Sequence, residues 1–306
     1  MAIMILDGGM GRELARRNAP FRQPEWSALA LYEDPQAVQS VHEDFIRSGA
    51  QLITTNSYAL VPFHIGEQRF RADAAALADL AGRLAQNAVR NTESSVKIAA
   101  SLPPLFGSYR PDLFEPERVR EIAQPIIHGL SPYVDLWLCE TQSSIIEPLM
   151  VKELLGDDRP FWVSFTLEDE NPDEVPCLRS GERVQTAVEK MAESGVAAIL
   201  FNCCQPEVIE QAIKVTKATL EQIGRTDITI GAYANAFPPQ SKEATANDGL
   251  DEIRRDLDPQ AYLNWAQKWI DAGAGMVGGC CGIGPEHIRV LAENLKDTHR
   301  EASDVE

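Results

Sequence analysis

The sequence predicts an α/β fold, a (β/α)8 TIM barrel built as a single domain over residues 1–306. Eight short apolar runs follow one another: Ile3–Leu6, Ala50–Thr54, Val96–Ala100, Val134–Leu138, Phe161–Phe165, Ala197–Phe201, Ile228–Tyr233 and Met276–Val277. Continuous runs of this kind suit strands of a parallel sheet buried on both faces. Segments with three- and four-residue apolar spacing separate most of them, and eight-fold strand–helix alternation fits a closed barrel, with a doubly wound open sheet as the alternative. Nearly every run also ends in a polar or reactive residue: Asp7, Thr55-Asn56-Ser57-Tyr58, Ser101, Glu140-Thr141, Thr166, Asn202-Cys203, Asn235 and Cys280-Cys281. In a barrel all strand C-termini meet at one rim, so these residues are expected to converge on one site.

The expected helices are Ala74–Val89, Glu117–Leu130, Val184–Met191, Val208–Ile223, Ala261–Ile270 and His287–Leu295. Pro116, Pro206, Pro259 and Pro285 each stand near a first helical turn, where a missing N–H costs nothing. The stretches Gly9–Val38 and Phe237–Asp256 are too long for plain connections and are expected to form lids or contacts of a homo-oligomer.

Composition narrows the classes of partner. With 306 residues, 44% of them hydrophobic, the chain can bury a full core. A formal net charge of −18 argues against nucleic acid or an anionic membrane surface as partner. No apolar stretch approaches the roughly twenty residues of a membrane span. The first residues lack the basic region and cleavage site of a secretory signal and read as a strand. A chain this long needs no disulfide staples, so a cytoplasmic protein with reduced thiols is expected.

Two vicinal cysteine pairs, Cys203-Cys204 and Cys280-Cys281, each follow an apolar run. Neighbouring cysteines rarely bridge each other because that geometry is strained. Thiolates from two strand ends on one rim can instead close three corners around a zinc ion, with Cys203, Cys280 and Cys281 as ligands and one corner open. Cys204 faces away from Cys203 if the strand runs on, and reads as packing or as a support behind the ligands rather than as a fourth ligand. Cys139 reads as a small buried hydrophobe and Cys177 as a loop thiol. Three thiolates more than neutralise zinc and make it a poor activator of water, yet such a site can take a thiolate from substrate, which points to alkyl transfer onto sulfur.

Asp7 and Glu140 each end a buried run and would face the rim, where a carboxylate pair suits the ammonium group of an amino acid. Gly8 and Gly9 leave the backbone open to a substrate carboxylate. Asn56, Asn202 and Asn235 stand at run ends and are assigned to substrate binding. His287, in the first turn of its helix, reads as a capping or packing residue.

These residues closely resemble the homocysteine S-methyltransferase family. The matches are Asp7-Gly8-Gly9-Met10-Gly11, Trp26-Ser27, Thr54-Thr55-Asn56-Ser57-Tyr58, Cys139-Glu140-Thr141, Ser164-Phe165-Thr166, Asn202-Cys203 and Gly278-Gly279-Cys280-Cys281. The resemblance implies a barrel with zinc on Cys203, Cys280 and Cys281, homocysteine thiolate as fourth ligand, and Asp7 and Glu140 on the substrate's amino group. It implies that Trp26 and Tyr58 border the pocket of a cationic methyl donor: S-methylmethionine, S-adenosylmethionine or betaine. Single-domain members of this length most resemble the S-methylmethionine users. Leu200-Phe201 and Pro103 depart from the family's smaller residues and are expected to add bulk near the rim, against an adenosyl group. The other function considered is a non-catalytic or redox-responsive barrel whose vicinal cysteines store zinc or respond to oxidation.

Overall fold

A computed structural model of the chain describes residues 2–172, 174–241, 243–247 and 251–295. Of the domain expected over 1–306, residues 296–306 lie outside the described residues. Among the described residues eight strands form: β1 (Met4–Ile5), β2 (Leu52–Thr54), β3 (Lys97–Leu102), β4 (Leu136–Gln142), β5 (Phe161–Phe165), β6 (Ala198–Asn202), β7 (Thr229–Tyr233) and β8 (Met276–Val277). Each falls on one of the apolar runs. All pairings are parallel, in the order β1-β8-β7-β6-β5-β4-β3-β2. A parallel bridge between Leu6 and Leu52 joins the two ends. The sheet is the expected barrel.

The pleat sends alternate side chains to opposite faces. Leu52, Leu136, Leu138, Trp162, Leu200 and Met276 fill the barrel interior. Ile53, Trp137, Cys139, Val163, Phe165 and Phe201 point out, into the larger core beneath the helices. One expectation is corrected by this alternation. Phe201 faces the helices and adds no bulk at the rim, while Leu200 packs inside the barrel against Gly231, where an added Cβ would meet its Cδ2 at 2.7 Å.

Eleven helices are described: α1 (Met10–Arg16), α2 (Ala28–Glu33), α3 (Pro35–Arg47), α4 (Pro62–Ile65), α5 (Glu67–Asn91), α6 (Val119–Leu130), α7 (Ile146–Lys152), α8 (Val184–Ser194), α9 (Pro206–Gln222), α10 (Pro259–Ala272) and α11 (Pro285–Leu295). The six expected helices are α5, α6 and α8 to α11. Proline opens α3, α9, α10 and α11, and Asp258 caps α10 by accepting the Ala261 N–H at 2.8 Å. No described helix is long and apolar enough to cross a membrane.

The Gly9–Val38 stretch is not one extended loop: it holds α1, α2 and the start of α3. In the Phe237–Asp256 stretch, residues 242 and 248–250 lie outside the described residues. The two stretches meet over the barrel mouth, where Trp26 Nε1 donates to Asn247 Oδ1 at 2.9 Å and Gln23 Nε2 to the Ala246 carbonyl at 3.1 Å. They form one cover over that mouth.

Candidate active site

The thiol cluster is assembled by two strand ends. β6 stops at Asn202, and Cys203 then adopts φ 51°, a left-handed conformation uncommon outside glycine and frequent at functional sites. Cys203 turns to the rim while Cys204 packs into the outer core, where burial pushes its thiol up to about 12. After β8, Gly278 passes so close to β1 that an added Cβ would meet the Asp7 carbonyl oxygen at 2.8 Å. Backbone bonds then fix the cysteine turn, with Cys280 N–H donating to the Ala234 carbonyl at 2.8 Å and Ala236 N–H to the Cys281 carbonyl at 2.9 Å. The sulfurs of Cys203, Cys280 and Cys281 all lie within 4.8 Å of one another.

Sulfurs sharing a tetrahedral zinc at about 2.3 Å would stand roughly 3.8 Å apart. The donor set therefore fits a zinc ion in chemistry, and its three sulfurs converge closely enough to share one. The Cys203 and Cys280 sulfurs are in direct contact, with Cα atoms 5.9 Å apart, and Cys139, Cys177, Cys204 and Cys281 are free. Two sulfurs converging from adjacent rim positions can reach each other as well as a shared ion.

Beside the thiols stand two carboxylates. Asp7, directly after β1, accepts the Thr54 N–H through Oδ2 at 2.8 Å and the Thr54 hydroxyl through Oδ1 at 3.3 Å. The Glu140 carboxylate, carried by β4, makes no hydrogen bond or ion pair with a described residue. Burial pushes Asp7 up to about 7, and burial together with the charge of Asp7 pushes Glu140 up to about 8. A desolvated carboxylate pair without a cation resists ionising, and an incoming cation relieves that resistance.

One cavity of about 180 Å³ brings together Asp7, Gly8, Gly9, Trp26, Asn56, Tyr58, Glu140, Cys203, Cys280 and Cys281. Asn202 and Asn235 are not among the residues that line it. Asn202 is fully buried, its Oδ1 accepting the Thr141 N–H at 3.0 Å and the Ser164 hydroxyl at 2.7 Å. Asn235 Oδ1 accepts the Phe237 N–H at 3.3 Å at the root of the lid. Both sit at strand ends as expected, and Asn202 Nδ2 also reaches the Cys280 sulfur at 4.0 Å.

The glycines are also more constrained than an open backbone. A Cβ on Gly9 would meet the Cys280 carbonyl oxygen at 2.6 Å, and the Gly9 N–H is already taken by the Ile283 carbonyl at 2.9 Å. These glycines let β1 pass against the cysteine turn. Asn56 Nδ2 donates to the Ser27 carbonyl at 3.0 Å, tying the Trp26-Ser27 loop to the rim, and Trp26 itself stands at φ 49°. Tyr58 and Ser108 share a hydroxyl hydrogen bond of 2.5 Å. His287 bonds the Leu257 carbonyl at 2.8 Å and accepts the Gly284 N–H at 3.3 Å, the capping role expected.

Sequence reasoning missed Arg12, Tyr109, Tyr233 and Phe237, which also line the cavity. Tyr233 is the last residue of an apolar run whose polar successor drew attention instead. Tyr109 carries no motif; it stands at φ 65° beneath the guanidinium of Arg179, whose carbon lies 4.9 Å from its ring centre.

A profile of the family described as homocysteine S-methyltransferase matches residues 4–295. This chain belongs to that family. Homocysteine S-methyltransferase 3 of Arabidopsis thaliana is 29% identical, the match covering 98% of this chain and 91% of that one. The homocysteine S-methyltransferase of Escherichia coli (strain K12) is 28% identical over 94% of both chains. Selenocysteine Se-methyltransferase of Brassica oleracea var. italica is 26% identical, covering 95% and 88%. The metallated crystal form of the homocysteine methyltransferase MmuM from Escherichia coli superposes with a TM-score of 0.76 at 27% identity, over 96% of each chain. Membership of the homocysteine S-methyltransferase family makes the chain a methyltransferase rather than a non-catalytic barrel.

Proposed function

We propose that the chain, as a single domain over 1–306, transfers a methyl group from a cationic donor to the sulfur of homocysteine, giving methionine. In the same proposal a zinc ion is the cofactor and Cys203, Cys280 and Cys281 hold it. One observation carries the reading: three convergent thiols and two uncompensated carboxylates face the same cavity. Zinc, when bound, supplies the positive charge that lets a thiol beside it lose its proton at neutral pH.

The chain's own residues do the rest. Asp7 and Glu140 take the substrate's ammonium, which favours their ionised forms and reverses the elevation caused by burial. Thr54 holds the Asp7 carboxylate in position for that contact. The rings of Trp26 and Tyr58 attract the donor's positive sulfur or nitrogen, by about 0.5–2 kcal/mol each. The donor then departs as a neutral molecule, which a positively charged leaving centre makes easy. The lid formed by the two long stretches keeps water away from the transfer.

S-methylmethionine ranks ahead of S-adenosylmethionine and betaine. Single-domain length resembles that of the S-methylmethionine users. The same reading sets the reaction in the cytoplasm, among small molecules and away from nucleic acid and membranes, given a charge of −18. Contacts of a homo-oligomer through the lid belong to it too. The test is methionine formation from homocysteine with each donor at equal concentration. Turnover with betaine alone overturns the ranking, and no turnover with any donor overturns the reading.

A further inference from the structure

We propose that Arg12 anchors the carboxylate of an amino-acid substrate in this cavity, an inference that rests on the function proposed above. Amino acids are zwitterions, and Asp7 and Glu140 answer only their ammonium end. Among the described residues lining the cavity, Arg12 alone carries a permanent positive charge. His64, the other basic side chain there, is pushed down to about 4 by burial and is neutral.

Arg12 is kept out of ion pairs. Its neighbours Arg16 and Arg17 both pair with Glu13, which occupies the acid nearest in sequence. Arg12 itself pairs with no described carboxylate. Its Nη2 donates to the Asp251 carbonyl at 2.7 Å, and its Nε is buried without a partner. The guanidinium carbon lies 5.0 Å from the centre of the Phe237 ring, a cation–π contact that helps to place it. The Asp251 carboxylate is engaged by Gln240 Nε2 at 3.1 Å. A flat, oriented guanidinium with spare donors is the group that receives a carboxylate on two hydrogen bonds. The backbone offers less here, since the Gly9 N–H is already taken.

Two molecules in the proposed reaction carry such a carboxylate, the thiol substrate and the methyl donor. The experiment separates them. Zinc-loaded wild type and Arg12→Gln are titrated by calorimetry with homocysteine and with aminopropanethiol, which is homocysteine without its carboxylate. A second pair is S-methylmethionine and trimethylsulfonium, a sulfonium without one. Arg12→Gln is expected to weaken the carboxylate-bearing member of one pair by about ten-fold or more, leaving its carboxylate-free partner unchanged. The pair that responds names the source. Partial unfolding would lower both members together, so the ratio within one preparation is the readout. Arg12→Lys, with charge but no fork, is expected to fall between. Unchanged ratios in both pairs overturn the inference. If wild type binds neither homocysteine nor S-methylmethionine, the proposed function fails first and the inference falls with it.

Discussion

Asn202 clamps Thr141: its Oδ1 accepts the Thr141 N–H at 3.0 Å and its Nδ2 donates to the Thr141 hydroxyl at 2.8 Å. Thr141 stands at φ 58°, next to Glu140, and Asn202 precedes Cys203. One side chain thus couples the strand end bearing the carboxylate to the strand end bearing the thiol. Asn202→Ala would leave the buried Thr141 amide unpaired, at a cost of roughly 1–3 kcal/mol. Thermal unfolding should report that loss, and homocysteine binding should weaken as Glu140 loses its support. An unchanged melting temperature would show the clamp to be dispensable.

The metal prediction separates the cysteines by position. Replacing Cys203, Cys280 or Cys281 by serine should abolish zinc binding and methyl transfer. Cys139→Ser should retain both, because Cys139 packs among the helices, and so should Cys177→Ser in its loop. Metal content per chain after exhaustive dialysis is the measurement. Full zinc in the double variant Cys280→Ser with Cys281→Ser would refute the site.

Much of this was legible because buried parallel strands write themselves as apolar runs, and the rim as their polar ends. Asp7, Glu140, Cys203, Cys280 and Cys281 all follow from that rule. It fails where a polar residue at a strand end turns inward to satisfy backbone, as Asn202 does, since sequence does not show which way a side chain leaves a turn. Positive φ at Cys203, Thr141 and Tyr109 is likewise invisible without glycine to mark it. The short helices α1, α2, α4 and α7 span too few turns for apolar spacing to stand out. Arg12 looked like one of three arginines in a polar segment; only the pairing of Arg16 and Arg17 with Glu13 sets it apart.

Glu140→Gln keeps the shape of the side chain and removes its charge. If Glu140 holds the substrate ammonium, a charge-assisted bond worth about 1.5–3 kcal/mol is lost, and homocysteine affinity should fall about ten-fold or more. Zinc content should stay the same, because Glu140 is not among the thiol ligands. Calorimetric titration beside metal analysis checks both halves. Normal affinity with a lower melting temperature would make Glu140 structural.

The raised carboxylates also set a pH dependence whose sign can be worked out. Asp7 at about 7 and Glu140 at about 8 hold protons in the folded state that they release at ordinary carboxylate pH when unfolded. Their contribution to stability is complete below the ordinary carboxylate range, falls steadily as pH rises above it, and is lost by about 7 to 8. The ligand-free protein should therefore melt at lower temperature across that window. Glu147, lifted to about 7 by burial, adds to the same fall, so the informative quantity is a difference. The double variant Asp7→Asn with Glu140→Gln should lose less stability over the window than wild type does. An ammonium-bearing ligand without a thiol, such as methionine, should pull both carboxylates down on binding. Protons should then be released, seen as a binding heat that changes with the ionisation enthalpy of the buffer. Parallel melting curves for wild type and variant, with no proton release on methionine binding, would separate this pair from ammonium recognition altogether.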